Sequence, residues 1–94
     1  MFSTRPKLSI GKYILSIQAG KGYYCDPKKD NLPIEHYKSV EIAIWTSEDD
    51  SFLDVTDVTP ELKDYFNGCV YGYVPTDLIP VIKEKLALVG KSNA

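Results

Sequence analysis

The sequence predicts an α+β fold: a three- to four-stranded antiparallel or mixed sheet, a C-terminal helix packed on one face, and a short helix near residues 60–66. Two segments alternate apolar and polar residues with period two, the C-terminal segment spaces its apolar residues as a helix does, and Thr59-Pro60-Glu61 has the make-up of a helix opening. Ninety-four residues, 44% hydrophobic and 26% charged, make a single domain, 1–94, with one modest core.

Taken in order, residues 1–6 are expected to be loose. The first strand covers about 12–18, where Tyr13, Leu15 and Ile17 alternate with Ile14, Ser16 and Gln18. A long loop follows. The second strand, Tyr37 to Thr46, places Val40, Ile42 and Ile44 on one face and Glu41, Ala43 and Trp45 on the other, with the β-branched and aromatic content a sheet favours. A shorter strand is expected around Phe52 to Val55. The Thr59 hydroxyl suits an N-cap, Pro60 lacks a donor the first turn would leave orphaned, and Glu61 favours the positive end of the short helix. Leu62, Tyr65 and Phe66 give that helix an apolar side, and Asn67-Gly68 closes it. The last strand runs from Cys69 to Val74, with Val70 and Val74 on one face, Tyr71 and Tyr73 on the opposite one, and Pro75 as its stop. The final helix runs from near Thr76-Asp77 to about Val89, carrying Ile79, Ile82, Leu86 and Val89 and ending at Gly90; Pro80 allows a separate turn over 76–79 with the regular helix starting at Pro80. Residues 91–94 complete a loose tail.

Charge is segregated along the chain. Residues 1–38 carry net +4, residues 39–77 net −8, with nine carboxylates against the single Lys63, and residues 78–94 net +2. The acidic tract Glu48-Asp49-Asp50, continued by Asp54, Asp57, Glu61 and Asp64, can dock on a basic partner or be a solvated turn and helix face. Clustered like charge repels itself, which favours a partner that neutralises it. Trp45, Tyr71 and Tyr73 are the candidate aromatic contacts beside it, since Trp and Tyr concentrate binding energy when exposed. If the sheet were covered on both faces they would be core instead.

A second candidate surface is the loop Gly20-Lys21-Gly22-Tyr23-Tyr24 with Lys28 and Lys29 beyond it. Its glycines permit backbone amides to face an anion, its lysines add charge, and its tyrosines can stack on a base. It matches neither the Walker nor the dinucleotide fingerprint, and the favoured reading is a plain long strand connection whose Tyr23 or Tyr24 tucks back over the sheet.

Catalysis is not expected. His36 is the one natural base and Cys25 the nearest nucleophile, with no third member to orient them. Cys25, Cys69 and His36 fall short of the four ligands of a structural zinc site, and two cysteines are too few for a small oxidised scaffold. The acidic tract lacks the register of a calcium loop. No cofactor or metal is expected. No apolar run approaches the roughly 18 to 20 residues of a membrane span, and Met1 to Lys12 lacks the apolar stretch of a secretory signal. The chain is therefore expected to be cytoplasmic, without membrane or direct duplex nucleic-acid binding.

The short single domain, acidic centre, abundant tyrosines and lack of a catalytic set, carried by Gly20 to Cys25, Glu48 to Asp50 and Tyr71 to Val74, resemble the small accessory proteins encoded by bacteriophages, including those that inhibit host defence systems. That resemblance is one of class and transfers no residue roles. It implies stoichiometric binding to a host protein or ligand rather than turnover. The expected function is thus a non-catalytic binding protein that inhibits or modulates a protein partner with a basic surface, through Trp45, Glu48, Asp49, Asp50, Asp54, Asp57, Tyr71 and Tyr73. The alternatives are a binder of a small anionic ligand such as a nucleotide, through Lys21, Gly22, Tyr23, Tyr24, Lys28 and Lys29 and across a homodimer, and a structural subunit.

Overall fold

Alternation in the two long strands fixes the sheet. In a computed structural model, which describes residues 5–46, 48, 55, 56, 58–68 and 70–92 (backbone alone for 89–92), β2 (Tyr13–Gln18) and β3 (Ser39–Thr46) pair antiparallel from Tyr13↔Thr46 to Gln18↔Glu41. This register puts Tyr13, Leu15 and Ile17 on the same face as Ile42 and Ile44, and Leu15, Ile42 and Ile44 are fully buried there. A one-residue slip would turn that whole set to the other face, so the apolar pattern holds the register.

A strand that sequence reading passed over, β1 (Leu8–Ile10), precedes β2 and pairs with it through Ile10↔Tyr13. The intervening Gly11-Lys12 is a two-residue hairpin turn with φ of +57° at Gly11 alone, the pattern of a type II′ turn, which favours glycine at its first central position. With only three residues, β1 gives too little alternation to stand out from its surroundings.

The fourth strand, β4 (Tyr71–Pro75), completes an antiparallel sheet of order β1-β2-β3-β4. It begins at Tyr71, later than the expected Cys69. More consequential is its bulge. Val40 pairs with Val74 and Ile42 with Tyr71, so Glu41 alone faces Gly72 and Tyr73. The expected sharing of one face by Tyr71 and Tyr73 is therefore broken: Tyr71 points into the core and is wholly buried, whereas Tyr73 takes φ of +54° and stays 47% exposed.

Helix α1 (Ile79–Ser92) follows a single 3₁₀ turn over Thr76–Leu78. Pro80 sits in its first turn, where the missing donor breaks no helical bond. Ile82 and Leu86, one turn apart, are buried with the apolar face of the sheet. The helix continues past Gly90, the expected stop; a glycine costs about 1 kcal/mol in a helix but does not by itself end one.

The short helix expected near 60–66 is one 3₁₀ turn, Pro60–Leu62. Thr59 does not cap it: its hydroxyl instead donates back to the Val55 carbonyl at 3.4 Å. Beyond Leu62 the sheet competes for the chain. Phe66 bridges to Tyr71, and the Tyr65 carbonyl accepts the Gly72 amide at 3.0 Å, an interaction a continued helix would forfeit. The strand expected at Phe52 to Val55 lies outside the described residues except for Val55, which is buried and not in a strand.

Arg5, expected to belong to a loose terminus, is anchored. Its guanidinium donates to the Ala19 carbonyl at 2.9 Å and the Leu32 carbonyl at 2.6 Å, and its main chain exchanges hydrogen bonds with the buried Gln18 amide. Among the described residues no helix is long and apolar enough to cross a membrane.

Tyr71 links the core to the segment before the 3₁₀ turn, because its hydroxyl accepts the Val55 amide at 2.7 Å in a buried setting. Tyr71→Phe keeps the ring and orphans that donor, so it should lower unfolding free energy by about 1–3 kcal/mol in urea titrations.

Candidate functional site

The bulge in β4 is also where the long loop returns to the sheet. Tyr24 donates its amide to Glu41 Oε2 at 2.9 Å and accepts the Tyr73 amide on its carbonyl at 3.0 Å, so the loop is bound at the bulge from both sides. A side chain at Gly72 would bring its Cβ to 3.0 Å from Tyr24 Cβ, so glycine is what allows the approach. The rings of Tyr24 and Tyr73 meet at a centroid distance of 6.1 Å with planes tilted by 44°. Both remain about half exposed, at 50% and 47%.

Lys28 completes the cluster. Its ammonium lies 5.9 Å from the Tyr24 ring centroid and 5.4 Å from that of Tyr73, within cation–π range of both, and it donates to the Tyr23 carbonyl at 2.8 Å. Two exposed aromatic rings sharing one ammonium form a patch that can bury apolar area and pair with an anionic group at once.

This cluster joins residues that sequence reading had divided between two surfaces. Tyr24 and Lys28 come from the loop, Tyr73 from the proposed acidic and aromatic face. The others separate. Tyr71, expected in an exposed patch, is core. Trp45 is half-buried four residues along β3 from Glu41, which at strand rise is roughly 13 Å away. The Lys7 ammonium stands 5.4 Å from its ring centroid. Glu48 is exposed, while Asp49, Asp50, Asp54 and Asp57 lie outside the described residues. The signal that could have found the cluster is the Gly72-Tyr73 step: a glycine inside a strand pattern marks a bulge or a close backbone approach.

Two of the amides that an anion cradle would leave free are bonded within the loop itself. The Lys21 amide is taken by Asp30 Oδ1 at 2.9 Å, and the Gly20 amide by the Cys25 sulfur at 3.2 Å. The Cys25 thiol is buried and free of any disulfide, and it donates to the Gly20 carbonyl at 3.2 Å. It is thus a fastener of the turn, whereas His36 is exposed in the 3₁₀ turn Ile34–His36. Tyr37 pins the far end of the loop, its hydroxyl donating to the Lys29 carbonyl. Lys21, Gly22 and Lys29 are exposed, and Tyr23 is half-buried.

A shallow groove of about 380 Å³ lies between the turn at Ile34 and the start of α1, lined by Ile34, Glu35, Thr76, Asp77, Ile79 and Pro80. Its two ionisable groups are both carboxylates. Among the described residues no three His, Cys, Asp or Glu side chains come together as a metal site would require. No protein-family model, characterised protein or solved structure matches the chain.

One member of the acidic stretch is already neutralised within the fold. Glu61 Oε2 accepts from Lys85 Nζ of α1 at 2.8 Å, and that hydrogen bond, helped by Glu61's own amide and by the lysine charge, holds the carboxyl below the usual glutamate range against an opposing effect of burial. A lowered folded-state pKa means stability present at neutral pH that is lost as pH falls through the folded pKa. Glu61→Gln should therefore melt below the parent at pH 7, with the gap closing as pH drops beneath the ordinary glutamate value of about 4.3; thermal melts of both proteins across pH 3 to 7 test this.

Proposed function

We propose that this chain is a small non-catalytic binding protein that inhibits or modulates a protein partner, in the manner of the phage-encoded accessory proteins it resembles, with Tyr24 and Tyr73 at the centre of the contact. The observation that carries this reading is the conformation of Tyr73. A left-handed backbone costs a residue with a Cβ roughly 1–2 kcal/mol, and here the side chain so placed is half exposed, so core burial offsets little of that cost. Strain held at an exposed aromatic is a mark of a binding surface. Docking on a partner would desolvate both rings, and Tyr is among the residues that dominate such contacts.

Charge supplies the steering. The net −8 of residues 39–77 attracts a basic surface, and Glu35, which lines an apolar groove with Asp77 of that stretch, adds to the attraction. Attraction of this kind weakens with salt, whereas the aromatic contact persists.

The same cluster supports a second reading, because Tyr24 stacked on a base with Lys28 beside a phosphate would hold a nucleotide. Lys21 and Gly20 contribute less to it, their amides being occupied by Asp30 and Cys25. Under that reading a nucleotide panel raises the melting temperature, by mass action worth about 2.7 kcal/mol at a hundred times the dissociation constant.

Tyr73→Gly relieves the left-handed strain and removes the ring, so this variant should melt no lower than the parent while losing the partner. Affinity capture from bacterial lysate tests this: the parent retains a defined protein at high salt, and Tyr24→Ser with Tyr73→Gly does not. Equal recovery by the doubly substituted chain would contradict the proposal.

A further inference from the structure

The two edges of the sheet are finished differently. On β4 the outward amides are consumed by the chain itself, Gly72 donating to the Tyr65 carbonyl and Tyr73 to that of Tyr24, each at 3.0 Å. On β1 the hairpin register leaves the opposite situation. A two-residue turn makes Ile10 and Tyr13 a hydrogen-bonded pair, so the alternate residue Ser9, opposite Ile14, directs its N–H and C=O away from β2. Among the described residues nothing accepts or donates to those groups, and Ser9 is exposed. An open edge is a template for another strand.

We infer that β1 is a homodimer interface, pairing antiparallel with β1 of a second copy about a two-fold axis at Ser9 to make one continuous eight-stranded sheet. Three features select a second copy as the occupant. Centred on Ser9, the pairing sets Leu8 against Ile10 of the partner chain, and both side chains lie on the core-facing side of the sheet; Leu8, now 38% exposed, gains an apolar neighbour. Lys7 falls opposite Gly11 and Lys12 opposite Pro6, so the lysines that would repel a like-charged register do not face each other. Pro6 shares the parity of Leu8 and Ile10, so its missing donor falls on the β2 side and leaves the outer edge intact. The interface is self-complementary, as a two-fold contact must be. It lies on the opposite edge from Tyr24 and Tyr73, and both copies keep that cluster free.

Ser9→Pro is the discriminating substitution. It deletes only an outward-facing donor, a place where an edge strand accepts proline, so the monomer fold should survive with a melting temperature close to the parent. Sedimentation equilibrium from micromolar to millimolar concentration should show the parent's mass doubling and the variant's staying that of a monomer. Amide exchange on the unmodified chain gives an independent reading, with Ser9 protection rising with concentration. A parent chain that remains monomeric throughout overturns the inference, as does a Ser9→Pro chain that dimerises as the parent does, or a Ser9 amide whose exchange ignores concentration.

Discussion

One extra residue in β4 decides how this molecule divides its tyrosines. Because Glu41 faces both Gly72 and Tyr73, the strand loses its period-two alternation between Tyr71 and Val74, and both of those residues turn to the core. Without the bulge, either Tyr71 or Val74 would leave the core face. With it, Tyr73 is expelled to solvent at the point where the long loop docks, and Glu41 remains available to hold the Tyr24 amide. The packing of the core and the exposed aromatic pair are two results of the same backbone irregularity.

Much of the frame was legible in the sequence. The alternation in 12–18 and 37–46 gave β2 and β3 and placed Leu15, Ile42 and Ile44 together on the core face, although Ser16, Gln18 and Ala43 on the opposite face are buried as well. Pro80 allowed for a separate turn ahead of the last helix, and one is present over Thr76–Leu78, with the helix starting at Ile79. Failures arose where tertiary contacts outweighed local preference. Thr59 had the chemistry of a cap but bonds back to Val55, and residues 63–66 are drawn to the sheet by the Phe66 and Tyr65 bridges. Tyr71 and Tyr73 were read as a pair on one face because a bulge has no periodic signature; the glycine between them was its only trace.

The site was legible in its parts and not in its assembly. Tyr24, Lys28 and Tyr73 were each singled out, yet 45 residues separate Lys28 from Tyr73. What brings them together is a set of main-chain bonds at the bulge that no spacing rule anticipates. The loop's glycine and lysine content also suits an anion, but the chain supplies its own anion in Asp30, so the Lys21 amide sets the shape of the turn.

The account is tested most directly by photochemically induced nuclear polarisation of the tyrosine rings, which reads solvent contact residue by residue. Strong polarisation of Tyr24 and Tyr73, with Tyr13, Tyr37 and Tyr71 silent, is the pattern that the bulge requires. Tyr71 and Tyr73 polarised alike, or silent alike, would mean that β4 keeps its plain alternation, and the bulge would not divide the two rings between core and solvent.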